Sequence, residues 1–164
     1  MRQWADIVRC LENEIPESEV LEYKQTCYGA STEEKRDLLK DVSAFANARG
    51  GYIVLGIEAK SGVPIAIPGI DRSLDLDAEL RRVQQIVGSG LDPVHTGLRG
   101  WPLRSETGDQ CLVLEVAASL NPPHRIPAGD YNRVFVRDSN GNHEASMPEL
   151  RQRFAFERDS RAAF

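Results

Sequence analysis

Residues 41–58 read Asp-Val-Ser-Ala-Phe-Ala-Asn-Ala-Arg-Gly-Gly-Tyr-Ile-Val-Leu-Gly-Ile-Glu, and no other stretch restricts the folding of this chain as strongly. Leu38, Leu39, Val42, Phe45 and Ala46 recur at helical spacing, and Ser31 followed by Glu34 has the form of a capping box, so a helix is predicted from Ser31 to about Ala48. Gly50-Gly51 must stop it, because glycine closes a helix in the left-handed conformation without a Cβ clash and a second glycine permits a tight turn. Tyr52 to Ile57 is then nearly all apolar, the pattern of a central strand covered on both faces.

Other elements follow from the same periodicities. Trp4, Ile7, Val8 and Leu11 predict an opening amphipathic helix over about Gln3 to Asn13, ended by Pro16. Val20 to Lys24 reads as a strand with Leu21 and Tyr23 on one face and Val20, Glu22 and Lys24 on the other. Leu76, Leu80, Val83, Ile86 and Val87 mark a helix ending near Gly88. Strands are predicted over Val94 to Leu103, Cys111 to Ala117 and Arg133 to Arg137, and Ser146 with Glu149 opens a last helix carrying Leu150, Phe154 and Phe156. The order α-β-α-β-α-β-β-β-α predicts an α+β (mixed α/β) fold, a twisted mixed sheet packed against helices. Residues 1–156 are expected to form one domain, with 157–164 a charged tail or truncated linker.

Composition narrows the function classes. A chain of 164 residues with 41% hydrophobic and 27% charged residues can bury a real core. No stretch approaches the roughly 20 apolar residues that cross a bilayer, the first residues lack a secretory signal, and Cys10, Cys27 and Cys111 are odd in number and scattered; a reducing cytoplasm is the expected setting. The net charge of −5 argues against nucleic-acid binding by overall positive potential. From Pro122 onward, however, seven arginines face six acids, so an acidic part precedes one with arginines for phosphates.

Acids at distant positions between Glu17 and Glu58 can be brought together in a way that suits the chemistry of a divalent cation. The strand with Glu22 and Lys24, the turn at Gly50-Gly51 and the strand ending at Glu58 can bring acids to one sheet edge, where hard cations such as Mg²⁺ or Mn²⁺ prefer oxygen ligands. Lys24, two residues from Glu22, can face the same phosphate. The same spacing also describes a solvated ion pair, and Glu17 and Glu58 also read as an acidic loop and a polar strand terminus. His124, Arg125 and Arg137 are candidate phosphate contacts or ordinary surface charge. The chain has no Gly-x-x-x-x-Gly-Lys-Ser/Thr phosphate loop, so no ATP chemistry is expected.

Glu17-Ser18-x-x-x-Glu22-Tyr23-Lys24, then Val42-Ser43-Ala44-Phe45-Ala46-Asn47-x-x-Gly50-Gly51-Tyr52-Ile53-Val54-Leu55-Gly56-Ile57-Glu58, then Phe135-Val136-Arg137-x-Ser139 resemble the Schlafen core domain, whose bacterial relatives are called AlbA-like DNA-binding or divergent AAA domains. The resemblance runs from about Glu17 to Arg151. It implies a Schlafen/AlbA-like single domain and a metal-dependent endoribonuclease acting on RNA such as tRNA. Glu17, Glu22 and Glu58 would be the Mg- or Mn-binding catalytic acids, and Lys24 would stabilise the transition state. Relatives often carry two consecutive acids after the Gly-Gly strand, where this chain has Glu58-Ala59. The alternative implied by the bacterial members is a non-catalytic DNA- or RNA-binding module of a regulator or defence protein, as part of a larger multidomain protein or as a homo-oligomer.

Overall fold

The computed structural model describes the backbone of residues 1–162 and the side chains of residues 1–155. Four strands form the main sheet: β1 (Leu21–Lys24), β2 (Gly51–Leu55), β5 (Leu98–Arg104) and β6 (Gln110–Val116), in the order β1-β2-β6-β5. β1 pairs with β2 in parallel and the other pairs are antiparallel, so the sheet is mixed as expected. The helices are α1 (Trp4–Glu12), α2 (Thr32–Ala46), α3 (Leu76–Gly90) and α4 (Met147–Ala162). A hairpin of β3 (Glu58–Lys60) and β4 (Val63–Ala66) follows β2, and β7 (Arg125–Ala128), β8 (Tyr131–Asp138) and β9 (Gly141–Glu144) form a further three-stranded sheet.

β2 is the interior strand predicted from its sequence. Ile53 and Leu55 enter the larger core with Leu38, Val42, Phe45 and Leu114, while Val54 enters a second core with Ile7, Tyr23 and Val113 on the opposite face. Burying each such aliphatic side chain contributes about 1.5–3 kcal/mol, so a strand covered on both faces anchors both halves of the domain. Gly50 sits at φ +69 with Val116 O only 2.5 Å from where a Cβ would stand, and Gly51 at φ +148 with Val20 O at 2.3 Å. The Gly-Gly pair is thus required by conformation and by the close approach of two backbones.

α2 begins with the expected box, Ser31 Oγ accepting from Glu34 N at 3.1 Å and Glu34 Oε2 accepting from Ser31 N at 3.1 Å. Its C-cap, Asn47, is a buried joint: the side-chain amide donates to His124 O at 2.9 Å and Phe135 O at 2.8 Å, and Oδ1 accepts from His124 N at 2.7 Å. One side chain therefore ties α2 to β7 and β8, and this positions the second sheet across the helix.

Several boundaries and elements differ from the sequence reading. Val94 is exposed and the strand assigned there begins only at Leu98. Gly56, at φ +106, ends β2 and turns the chain into the short hairpin, so Glu58 opens β3 instead of closing β2. β3, β4, β7 and β9 are short and carry Pro, Gly or charged residues, which gave no apolar alternation to read. The α4 backbone continues through Ala162, and the remainder of the expected 157–164 tail, like the Phe156 side chain, lies outside the described residues. Among the described residues no helix is long and apolar enough to cross a membrane.

Candidate functional site

A cleft of about 400 Å³ opens beside β1, and Glu17, Glu22, Lys24, Lys40, Asp41 and Arg137 line it. Strand alternation produces its floor: Leu21 and Tyr23 are buried, which leaves Glu22 and Lys24 side by side on the other face. Lys24 Nζ lies 3.1 Å from Glu22 Oε1 and 3.0 Å from Asp41 Oδ2. From β8, Arg137 Nη1 reaches Glu22 Oε2 at 2.5 Å and Asn142 Oδ1 at 2.7 Å. Asn142 Nδ2 and the Tyr28 hydroxyl then donate to the two Asp41 oxygens at 2.7 and 2.6 Å. The result is a closed network in which both oxygens of each carboxylate have donors.

Burial and charge act against each other here. Burial, reinforced by Glu22, pushes the Asp41 carboxyl above the ordinary carboxylate range, with Lys24 and Tyr28 opposing. Burial alone would lower the Lys24 pKa, but Asp41 and Glu22 outweigh it and hold it above 10.5. Burial and the neighbouring Asp41 carboxylate raise the Tyr28 hydroxyl well above its usual value, so it stays a proton donor.

The acids expected to act together are only partly brought together. Glu17 and Glu22 share the cleft, Glu17 Oε1 accepting from Tyr23 N at 3.0 Å. Glu58 stands opposite Ala66 in the separate β3–β4 hairpin and does not line the cleft. The second oxygen-rich partner of Glu22 is Asp41, which sequence reasoning missed. Its signal was readable: Asp41 lies three residues after Leu38 and four before Phe45, an acid on the buried face of α2. Among the described residues no group of three His, Cys, Asp or Glu side chains is placed to hold a metal. With the Glu22 and Asp41 oxygens committed to Lys24, Arg137, Asn142 and Tyr28, this set does not fit a divalent cation in the arrangement observed.

The structure places the expected phosphate contacts in three different settings. The Arg137 side chain is 4% exposed and spends its remaining donors on Ser18 O and Leu21 O, so it braces β1 and has none left for phosphate. His124 is 2% exposed, its ring nitrogens 2.6 Å from Pro93 O and 2.6 Å from Ser119 Oγ, and it belongs to the interior. Arg125 is exposed but held by Asp92 at 2.6 Å and by Asn132 at 2.8 Å. Lys24 is the inner cation of the cleft, shared by two acids.

A second set of charges lies along the seam where α2 crosses β8. Arg36 and Lys40, four residues apart on one side of α2, reach over two rings of β8: the Arg36 guanidinium is 5.0 Å from the Tyr131 centroid and Lys40 Nζ is 5.6 Å from that of Phe135. Arg133 sits 5.3 Å from the Tyr131 centroid and pairs with Glu144. The two rings stack at 6.3 Å with 26° between their planes. Among the described residues neither Arg36 nor Lys40 has an acidic partner. Arg36, Lys40 and Tyr131 were not singled out from the sequence, although the Arg36/Lys40 spacing was there to be read.

Among the solved structures that share the fold are two from bacteria. The N-terminal domain of a Nitrosomonas europaea protein named as related to the ATP-dependent DNA helicase RecG has a TM-score of 0.60 and 20% identity, over 84% of this chain and 89% of that one. The DIP2311 protein of Corynebacterium diphtheriae has a TM-score of 0.56 and 18% identity, over 90% of this chain; the match spans only 30% of that longer chain. No curated protein matches the chain. Residues 17–146 match the family model described as Schlafen, AlbA_2, and they contain β1, the α2–Gly-Gly–β2 unit, the cleft and the seam alike. On that match the chain belongs to the Schlafen AlbA_2 family.

Proposed function

We propose that this domain is a nucleic-acid-binding module that holds the sugar-phosphate backbone along the α2–β8 seam. The observation that carries the reading is the contrast in charge pairing: Lys24 and Arg137 in the cleft are paired with acids, whereas Arg36 and Lys40 on the seam, Lys40 also bordering the cleft, have no acidic partner among the described residues. Phosphate contacts supply most of the affinity of such binders, and two cations at helical spacing track a backbone without reading bases. A local strip also accommodates the net charge of −5, because contact charges act within a Debye length of about 8–10 Å. The N. europaea neighbour, named for its relation to a DNA helicase, is consistent with nucleic-acid handling by a domain of this shape. The module would work in the cytoplasm, within a regulatory or defence protein.

Fluorescence anisotropy with labelled DNA and RNA oligonucleotides tests it. Binding should weaken steeply with salt, and Arg36→Ala with Lys40→Ala should lower affinity about tenfold and the log–log salt slope by about 1–2. No binding at low salt, or a double variant that binds like the unaltered protein, sinks the reading.

A second reading, a metal-dependent endoribonuclease acting on tRNA-like RNA, is favoured by one observation: Glu17 and Glu22 line the same cleft at the family's spacing. It requires Glu22 to give up Lys24 or Arg137 before a Mg²⁺ or Mn²⁺ ion can use it. Cutting of tRNA, single-stranded RNA or DNA with Mn²⁺ present, abolished by Glu22→Gln, would decide for it; uncut substrates decide for binding alone.

A further inference from the structure

We infer that the tip of the β7–β8 hairpin is a stacking subsite for an unpaired nucleobase, which gives the seam a preference for single-stranded over duplex nucleic acid. The inference rests on the binding reading above and adds a ligand class to it. Ala128 and Tyr131 pair across a two-residue turn, Gly129-Asp130, so Tyr131 stands at the hairpin end. An open cleft of about 560 Å³ lies there, lined by Arg36, Ala128, Gly129, Asp130 and Tyr131.

Two planar groups line the cleft, the Arg36 guanidinium and the Tyr131 ring, and further planar groups pack against them. Phe135 stacks on Tyr131, and the guanidinium groups of Arg36 and Arg133 lie 5.0 and 5.3 Å from the centroid of the Tyr131 ring. Phe135 is buried and Glu144 holds Arg133, so this stack is supported from within the fold. Guanidinium planes and aromatic rings are the surfaces on which splayed bases stack, and a base in a duplex has already spent both faces on its neighbours. Asp130 lines the same cleft. Its carboxylate repels a phosphate but accepts hydrogen bonds from the amino and imino groups of base edges, so a base fits the tip and the phosphate falls to Lys40, one helical turn along α2.

The test compares one oligonucleotide sequence as a single strand and as a duplex, by anisotropy at a fixed low salt concentration. The unaltered protein should bind the single strand about tenfold more tightly. Tyr131→Ala should weaken single-strand binding about tenfold and change duplex binding less than about twofold, while Tyr131→Phe, which keeps the ring, should behave like the unaltered protein. Lys40→Ala should weaken both forms. Equal affinity of the unaltered protein for the two forms, or a Tyr131→Ala loss equal in both, overturns the stacking subsite while leaving the seam standing. Absence of binding to either form overturns the seam and the subsite together.

Discussion

The cleft and the seam adjoin along α2, where Lys40 borders both, and draw on the same residue types, yet most of their charges have different fates. In the cleft, Glu22 and Asp41 meet Lys24 and Arg137, and both oxygens of each of these two carboxylates have donors from within the chain. On the seam, Arg36 and Lys40 rest on ring faces and retain their charge for something outside. Charge that is buried with its partner serves the fold; charge laid on an aromatic face at the surface stays available to a ligand.

The strongest test of that difference is Arg137→Ala. It removes a side chain 4% exposed, leaves Glu22 Oε2 without its donor and takes the side-chain donors from Ser18 O and Leu21 O, so urea unfolding should show a loss of about 3–5 kcal/mol. A loss under about 1 kcal/mol would mean that water already solvates the cleft and that the two regions differ little. Tyr28→Phe should cost about 1–2 kcal/mol, because it removes a single donor at 2.6 Å from a buried carboxylate.

The cleft should also show itself in alkaline solution. The folded Lys24 pKa lies above 10.5, so its contribution is whole below that pH and is lost as the pH rises through the folded value. Stability should therefore fall as the pH rises past 10.5, and Lys24→Met should flatten that part of the curve relative to the unaltered protein. An alkaline limb unchanged in the variant would remove Lys24 from the network. The smallest effect is expected on the seam: Arg36→Ala with Lys40→Ala should cost no more than about 1 kcal/mol of stability, even as nucleic-acid binding falls. If stability drops by several kcal/mol instead, the seam is a structural element and the contrast collapses.

Much of the scaffold was legible in the chain. The α2 capping box, the Gly50-Gly51 stop and the two-faced burial of β2 are dictated by near neighbours, and each appears where its residues predict it. Short strands escaped notice because β3, β4, β7 and β9 carry turn residues or charges in place of an alternating face. The candidate site was half legible. Alternation along β1 sets Glu22 beside Lys24, but whether an arginine is surface or interior depends on what packs over it. Arg125 and Arg137 look alike as letters, and they separate only because β8 runs under α2 and carries Arg137 into the cleft.

By itself the sequence determined the local elements, the family and the pairing of Glu22 with Lys24, since all three rest on patterns within a few residues. Tertiary structure alone decided which acids share a cation. Glu22 meets Arg137 across 115 positions of chain and Asp41 meets Asn142 across 101, and Glu58 is turned away by a glycine at φ +106. Contacts between residues so far apart are set by which faces the core buries, and that is a property of the folded whole.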